Sequence, residues 1–366
     1  MGTALLVTWE GGGNVAPLLV LACELAGRGH DVRVLGPPGA VEERYRREGV
    51  AYRASDSAAR WTPEAQRSLA GEVAAEVHRV PTDVAVVDYM QPAALCGAEA
   101  AAVPVVAFVH TLYARQAVTD HSPIHMAADA PGINELRSGL GLPPVERLPD
   151  LLDRAALVLV TTLEALDRAD GPVPANVRYV GPLVEAPGDD AGWVPPGAAG
   201  DGPLVLVSMG TTPMDEATVL ERVLDALDGA PVRVLVTLGP HLDGAELRVP
   251  ANATLSGYRR HAALLPHAGL SVNHAGLGTI GAALAGGVPM VCLPLGRDQP
   301  ANAEAAAAVG AARVLPPDAE PAVLRAAVLV TLADDHCRRA AARLAEEIRA
   351  LDGPTRAAEA VESLLP

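Results

Sequence analysis

A short glycine-rich run carries the clearest chemistry in this sequence. The run His274-Ala275-Gly276-Leu277-Gly278-Thr279 follows an apolar strand pattern and opens an apolar helix pattern. Glycines at such a turn let backbone N–H groups approach an anion, and the start of the helix adds about half a positive charge. His274 adds an imidazole that can donate to a phosphate oxygen. The run predicts a phosphate site, and the alternative is an ordinary strand–turn–helix connection around a buried histidine.

Two further polar runs are suited to hold a sugar or a phosphate. Asp298-Gln299 follows the next predicted strand and offers carboxylate and carboxamide groups, which bind sugar hydroxyls. Asp298 can also be the N-cap of a helix that begins beside Pro300. Ser208-Met209-Gly210-Thr211 ends the first strand of the second half of the chain, where its hydroxyls and glycine suit a phosphate or a sugar. A polar turn is the alternative interpretation of that run.

A second glycine-rich run lies near the start of the chain. Gly11-x-Gly13-x-x-Ala16 matches the dinucleotide fingerprint G-x-G-x-x-A, which also requires an acid at the end of the second strand. Gly36-Pro37-Pro38 occupies that place, so no nicotinamide or flavin is expected. A tight strand-to-helix turn and a loop that approaches a ligand closely both remain open.

The composition excludes several other chemistries. All 28 basic residues are arginine, so neither a Walker-A phosphate loop nor a Schiff-base lysine is present. The charge sum of 28 − 44 = −16 argues against nucleic acid or an anionic membrane as a partner. No Gly-x-Ser-x-Gly, no Asp-x-Asp and no zinc-like Cys/His spacing occurs, so no metal is expected. Four cysteines without a Cys-x-x-Cys pair, and a first segment without a basic start, indicate a cytoplasmic protein.

The elements that must position these residues alternate between strand and helix patterns. This alternation predicts an α/β fold with a doubly wound, Rossmann-like parallel sheet in each half. A segment rich in Pro, Gly, Asp and Ala separates the halves, which gives domains at 1–185 and 204–366 with a linker at 186–203. A cleft between two such domains is the expected place for a small ligand. Strands are predicted at 4–9, 31–35, 50–53, 85–87, 103–109, 157–160, 177–180, 204–208, 232–236, 253–256, 270–273, 290–293 and 312–315.

The runs of the second half, taken together, resemble a known family. The spacing of His274–Thr279, Gly286-Gly287-Val288-Pro289, Asp298-Gln299-x-x-Asn302-Ala303 and Gly310 is similar to the donor-site signature of the GT-B glycosyltransferases of family 1. The closest resemblance is to the bacterial enzymes that glycosylate antibiotics and other natural products. Tyr258-Arg259 stands where this family usually has a tryptophan pair beside the base of the nucleotide.

The resemblance implies an inverting sugar transfer from a dTDP- or UDP-sugar to a small natural-product acceptor, without metal or other cofactor. It implies an N-terminal acceptor domain, a C-terminal nucleotide-sugar domain and a last helix that crosses back to the N-terminal domain. The implied donor-site residues are Ser208, Gly210, Thr211, His274, Gly276, Gly278 and Thr279 for the diphosphate, Asp298 and Gln299 for the sugar, and Tyr258 and Arg259 for the base.

One position departs from the family. The first loop of the family reads Gly-His-x-x-Pro, and its histidine is the general base, whereas this chain has Gly13-Asn14-Val15-Ala16-Pro17. Asn14 occupies the base position and cannot take up a proton near neutral pH. Asp88 matches the acid that orients the missing histidine.

Several side chains are candidates to replace the missing base. Asp88, His110, His121 and Glu10 stay open. His110 is favoured because it ends a strand and enters an irregular loop, and because an unperturbed imidazole, with a pKa near 6.5, suits a base. A histidine with only a structural place at the strand edge is the alternative. An acceptor that needs little base, such as a phenol, an enol or an amine, is a further explanation. The predicted acceptor pocket contains Glu10, Gly13, Tyr113, His121 and His125.

Two other functions stay open from the sequence. A non-catalytic sugar-nucleotide-binding auxiliary of a partner glycosyltransferase would explain Asn14. A sugar-nucleotide epimerase would share the two-domain architecture. The expected partners are a small acceptor and a nucleotide-sugar, with neither nucleic acid nor membrane among them, and a homodimer stays open.

Overall fold

A computed structural model describes residues 1–114, 130–147, 149–167, 173–196, 202–210, 214–239, 242–244 and 247–366, with backbone only at 130 and 131. The chain forms two compact units. The first unit contains Met1–Leu183 and Leu351–Pro366, and the second unit contains Val184–Ala350.

A wholly parallel sheet forms the centre of the first unit. Its strand order over the described residues is β3-β2-β1-β4-β5-β6-β7, and each neighbouring pair runs in the same direction. Valine, leucine and alanine fill the central strands on both faces, as expected for a parallel sheet covered by helices on both sides. The strands are β1 (Thr3–Val7), β2 (Asp31–Gly36), β3 (Ala51–Ala54), β4 (Val84–Asp88), β5 (Val105–Val109), β6 (Leu157–Val160) and β7 (Val177–Tyr179).

The second unit repeats this architecture with a parallel sheet in the order β10-β9-β8-β11-β12-β13 over the described residues. The two sheets confirm the predicted doubly wound α/β fold class, since every predicted strand position contains a strand. The strands are β8 (Leu204–Ser208), β9 (Arg233–Thr237), β10 (Ala253–Ser256), β11 (Leu270–Asn273), β12 (Met290–Cys292) and β13 (Ala312–Val314).

Helices connect the strands and cover both faces of each sheet. The long helix Pro63–Arg79 illustrates the local signals, because Thr62 caps its first turn through Ala65 N and proline stands at its first position. The helices of the first unit are Val15–Gly27, Ala40–Arg47, Pro63–Arg79, Pro92–Ala100, Ala130–Gly139, Asp150–Asp153 and Gly353–Glu362. Those of the second unit are Glu216–Leu227, His261–Leu264, Leu277–Ala285, Gln299–Ala308, Pro321–Ala333 and Asp335–Leu351, the last of which ends at the boundary. No helix in these described parts is long and apolar enough to cross a membrane.

The first unit ends at Leu183 and the second begins at Val184, while the linker at 186–203 stays a prediction. The segment that follows Val184 belongs to the second unit, because Asp190 accepts hydrogen bonds from Arg259 and from the backbone N–H of Arg260. The final helix Gly353–Glu362 belongs to the first unit. Its Ala357, Ala358 and Val361 are buried in the first unit's core, and its Glu362 pairs with Arg28 and His30 at 3.0 and 2.9 Å.

Each sheet has a point where the strand order reverses, and the neighbouring strand ends there leave room for a ligand. In the first unit this point lies between β1 and β4, and in the second unit between β8 and β11. Asp88 ends β4, and Ser208 ends β8. Both reversal points therefore carry a polar residue from the sequence-based candidates.

Candidate functional site

Three polar side chains of the first unit meet at the carboxyl ends of its central strands. Asn14 follows β1, Asp88 ends β4 and His110 follows β5, and these three strands are neighbours in the sheet. Because the carboxyl ends of parallel strands lie at one edge, the topology brings together residues that are far apart in sequence. Asn14 and Asp88 are fully buried, and the His110 side chain is 9% exposed.

Asn14 is held firmly by four hydrogen-bond partners. Its Oδ1 accepts from the backbone N–H of Gly11 at 3.1 Å, and its Nδ2 donates to the carbonyl of Trp9 at 2.9 Å. The same Nδ2 donates to Asp88 Oδ2 at 2.9 Å and to Thr8 Oγ1 at 3.5 Å. Asn14 therefore closes the glycine loop and fixes one oxygen of the buried carboxylate, without itself being able to accept a proton.

The second oxygen of Asp88 faces His110. Asp88 Oδ1 lies 3.3 Å from His110 Nε2, which is ion-pair distance when the imidazole is protonated. The same oxygen accepts a hydrogen bond from the backbone N–H of Met90 at 3.0 Å. The ring of Tyr89 meets the imidazole of His110 edge-on, with 5.4 Å between centroids. Asp88 thus joins Asn14 to His110, and the structure assembles a carboxylate–imidazole pair although the family's histidine position is asparagine.

The other candidates of the first unit have different surroundings. Glu10 is exposed, and Gly13 has open space where a side chain would begin. The backbone N–H of Tyr113 donates to Asp167 Oδ2 at 2.5 Å, and burial raises the pKa of the Tyr113 phenol. His121 and His125 lie outside the described residues.

The buried carboxylate of Asp167 anchors the segment that follows β5. It accepts from the backbone N–H groups of Tyr113 and Ala114, and from the hydroxyl of Tyr179 at 2.8 Å. Asp167 is not among the sequence-based candidates. Its only local signal is an acid shortly after the apolar run at Leu157–Val160.

The second unit carries a separate polar cluster around His274. This residue follows β11, and its ring lies close to two glycines. A methyl group added to Gly210 would come within 2.8 Å of His274 Nε2, and one added to Gly276 would come within 2.6 Å. Gly210 also has a φ of +96°, which a residue with a side chain rarely adopts. Burial lowers the pKa of His274, and a hydrogen bond that its ring donates to the Ser208 backbone opposes that shift.

A second histidine, His261, completes this cluster and was missed by the sequence analysis. Its Nε2 lies 3.3 Å from the hydroxyl Oγ of Ser208, which is itself buried at the end of β8. Burial, with a smaller contribution from the neighbouring His274, lowers the pKa of His261 to about 4. His261 is therefore neutral at pH 7. The only signal in the sequence is a histidine at the start of a short helix pattern, which is common on protein surfaces.

The helix Leu277–Ala285 begins beside this cluster, because its N-cap Gly276 lies against the ring of His274. Gly276 is its N-cap, Ala275 has a left-handed backbone with φ +64°, and Asn273 accepts from the Ala275 N–H at 2.9 Å. Gly278 is exposed, a methyl group added there would meet no atom within 4 Å, and Thr279 is half-buried. The first N–H groups of a helix have no partner within the helix, so this turn can accept an anion. Thr211 lies outside the described residues.

The two residues assigned to the sugar stand at the start of the helix Gln299–Ala308. Asp298 is in the N-cap position without a side-chain cap bond, and its Oδ2 accepts from Asn302 Nδ2 at 2.9 Å. Asn302 also donates to the carbonyl of Ala275 at 3.1 Å, which ties this helix to the His274 turn. Gln299 is buried, and its Oε1 accepts from the backbone N–H of Leu295 at 2.7 Å. Asp298 is the more accessible of the pair.

Tyr258 and Arg259 have distinct environments. The side chain of Tyr258 is 55% exposed, as a stacking surface for a base requires. Arg259 is engaged within the protein, because its guanidinium donates to Asp190 at 2.7 Å and lies 4.6 Å above the ring of Trp193. The structure thus leaves Tyr258 open to a ligand and gives Arg259 an internal ion pair. No group of three or more His, Cys, Asp or Glu side chains suited to a metal ion occurs among the described residues.

Comparison with known proteins adds independent findings. Residues 221–364 match the family described as erythromycin biosynthesis protein CIII-like, C-terminal domain, and residues 12–170 match glycosyltransferase family 4. The 4'-demethylrebeccamycin synthase of Lentzea aerocolonigenes is 30% identical over 243 residues, which are 63% of this chain and 55% of that protein. Demethyllactenocin mycarosyltransferase of Streptomyces fradiae is 32% identical over 191 residues, 51% of this chain and 41% of that protein. The matches thus span about half the length of these curated relatives.

Solved structures match the chain over its full length. The glycosyltransferase of kitacinnamycin superposes with a TM-score of 0.83 at 26% identity and covers 100% of this chain and 99% of its own. The calicheamicin glycosyltransferase CalG4 superposes with a TM-score of 0.82 at 24% identity and covers 100% and 98%. The predicted GT-B fold, with its two Rossmann-like domains, is confirmed by these similarities.

Proposed function

We propose that this chain, which has the GT-B fold and is related in sequence to antibiotic glycosyltransferases, transfers a sugar from a dTDP- or UDP-sugar to a small natural-product acceptor. The observation that carries the proposal is the cluster of Ser208, His261 and His274 beside the start of the helix Leu277–Ala285. It lies where the strand order of the second sheet reverses. Such a cluster suits a diphosphate.

The donor site is proposed to work without a formal positive charge on its histidines. The lowered pKa values of His261 and His274 make both rings neutral at pH 7, so they contribute N–H donors and not cations. The N–H groups at the start of the helix then supply the positive potential that offsets charge building on the leaving diphosphate. Asp298 would accept from a sugar hydroxyl, and the exposed Tyr258 would stack on the base. Neither a metal nor a lysine is required in this arrangement.

The base that deprotonates the acceptor is proposed to be His110. The imidazole of His110 lies beside the carboxylate of Asp88, with 3.3 Å between Nε2 and Oδ1. The acceptor oxygen would attack the anomeric carbon of the sugar, its proton would pass to the imidazole of His110, and the bond to the diphosphate would break with the electron pair leaving on the phosphate oxygen. A single displacement of this kind inverts the configuration at the sugar. Asp88 would stabilise the imidazolium that forms, with Asn14 as its positioning residue.

Alanine substitutions in the donor site test the proposal. Purified protein is incubated with a panel of dTDP- and UDP-sugars and with phenolic, enolic and amine acceptors, and products are identified by mass spectrometry. We expect Asp298→Ala and His274→Ala to lower transfer at least about tenfold, the loss expected for one hydrogen bond to a charged group. Asp318→Ala and His336→Ala, at exposed positions of the same unit, are matched controls. Wild-type rates in both donor-site variants would refute the donor assignment.

The asparagine at position 14, where the general base is expected, favours a second candidate function, that of a non-catalytic auxiliary protein. If the protein binds dTDP or UDP tightly but yields no product with any pair of substrates, a non-catalytic auxiliary of a partner glycosyltransferase is the better description. Release of an epimerised sugar without an acceptor would instead indicate an epimerase. Calorimetric titration with dTDP and UDP separates these outcomes from simple loss of folding.

A further inference from the structure

Aromatic side chains are scarce in this chain, and two of the largest meet in the first unit. The sequence contains three tryptophans and one phenylalanine. Trp9 and Trp61 contact each other edge to face, with 5.1 Å between ring centroids and 90° between their planes. The two perpendicular indole planes form a corner.

Trp9 is linked to the proposed base His110 through Asn14 and Asp88. It stands in the loop between β1 and Asn14, and its carbonyl accepts from Asn14 Nδ2 at 2.9 Å. Its ring lies against Gly11, where a methyl group would come within 2.5 Å of the indole. Within the described residues the Trp9 Nε1 is buried without a hydrogen-bond partner. A buried donor without a partner is costly, so a polar atom of a ligand would stabilise it.

Trp61 supplies the exposed wall of the corner. Its side chain is 39% exposed, although it follows directly on the structured turn Asp56–Ala59 and precedes the capped helix Pro63–Arg79. The turn is tied to the end of β4, because Gln91 donates from its side chain to Ala58 and from its backbone to Asp88. Trp61 is therefore held in place beside the Asp88 strand end while part of its ring stays open to solvent.

We propose that Trp9 and Trp61 form the stacking surface for the acceptor, and that the acceptor is a planar, fused aromatic phenol. This inference rests on the proposed function, because it names the acceptor class of the same site. Indole faces stack on flat aromatic rings with a preference over saturated rings of equal size, because the ring quadrupoles interact. A phenol also fits the chemistry, since an ordinary phenol has a pKa near 10 and needs less help from a base than an alcohol does.

Binding measurements that need no turnover test the inference. The probes are a dihydroxyanthraquinone and a perhydroanthracenol, which is a saturated tricyclic alcohol of similar size, and each is titrated calorimetrically in the presence of dTDP. We expect Trp61→Ala to weaken binding of the dihydroxyanthraquinone about tenfold, while Trp61→Phe retains most of the affinity. Binding of the saturated alcohol should be weak and unaffected by either change. Val173→Ala, which also alters an exposed apolar side chain of this unit, is the matched control.

The outcomes separate this inference from the proposed function. If the dihydroxyanthraquinone binds through Trp61 but no sugar is transferred, the stacking surface stands and the transferase proposal fails. If sugar is transferred while Trp61→Ala changes neither the KM of aromatic acceptors nor their affinity, the stacking surface is refuted and the transferase proposal stands. Equal binding of the flat and the saturated probe would also refute the inference. Thermal melting of each variant confirms that it is folded.

Discussion

Replacing His110 by glutamine tests the proposed base directly. Glutamine keeps an N–H group that can face Asp88 Oδ1, which lies 3.3 Å from the histidine Nε2, but it cannot accept a proton. General-base help is typically worth about 10²–10⁴-fold, which corresponds to about 3–5 kcal/mol of barrier. We therefore expect kcat to fall by about that factor, with little change in donor affinity because His110 belongs to the first unit and the donor cluster to the second.

The assay is the initial rate of transfer at saturating donor, measured across pH with a substrate pair from the panel. The wild-type log(kcat/KM) should fall with unit slope on the acid side, as His110 becomes protonated, and this limb should disappear in His110→Gln. His78→Gln, at an exposed position on the helix Pro63–Arg79, is the matched control. A kcat in His110→Gln within threefold of wild type, with the acid limb intact, would refute the assignment.

A second substitution makes this test sharper. Asn14 Nδ2 lies 2.9 Å from Asp88 Oδ2, so a histidine at position 14 could use the other oxygen of the same carboxylate. We expect the double variant Asn14→His, His110→Gln to have a kcat at least about tenfold higher than His110→Gln alone, because it rebuilds a carboxylate–imidazole pair. No recovery in a folded double variant would indicate that the position of His110, and not only its basicity, sets the rate.

Two further predictions concern the second unit. Gly276→Ala places a methyl group 2.6 Å from His274 Nε2, so we expect calorimetry to show about tenfold weaker binding of dTDP and UDP. Gly71→Ala, in the helix Pro63–Arg79 of the first unit, meets no atom within 4 Å and should bind as wild type does, so equal affinities in both variants would contradict the cluster geometry. The lowered pKa of His261, about 4 in the folded state against about 6.5 unfolded, makes its contribution to stability complete above pH 6.5 and lost as pH falls toward 4. Between pH 7 and pH 5, the free energy of unfolding of the second unit, measured in urea, should fall by about 2 kcal/mol more in wild type than in His261→Gln. Equal falls in both proteins would show that His261 is not desolvated.

The sequence predicts the sheets well because each strand carries its own local signal. Runs such as Val84–Val87 and Leu204–Val207 are apolar on both faces and end at a polar residue, which is the pattern of a buried parallel strand. The same pattern places Asp88, His110 and Ser208 at strand ends. Local patterns therefore indicate which residues face the ligand edge of each sheet.

Contacts between distant segments could not be predicted in the same way. The proximity of Asp88 to His110 depends on β4 and β5 being neighbours, which is a property of strand order and not of either strand. Two further contacts join residues that are far apart in the sequence. Arg259 pairs with Asp190 across 69 positions, and Trp9 contacts Trp61 across 52 positions, so both contacts depend on how the intervening segments fold. Such pairings are set by the free energy of the whole fold, so a single sequence window carries no sign of them.

The path of the chain has a practical consequence for the design of hybrid enzymes. The polypeptide leaves the first unit after Leu183 and re-enters it at Leu351, so the second unit is inserted within the first. A second unit taken from a relative must therefore be spliced at two places, and the segment after the second splice must keep Glu362 for its partners Arg28 and His30. Hybrids joined at one place only would combine a foreign final helix with this first unit. We expect any loss of activity in such hybrids to arise from a poorly packed first unit, whatever ligand the new second unit binds.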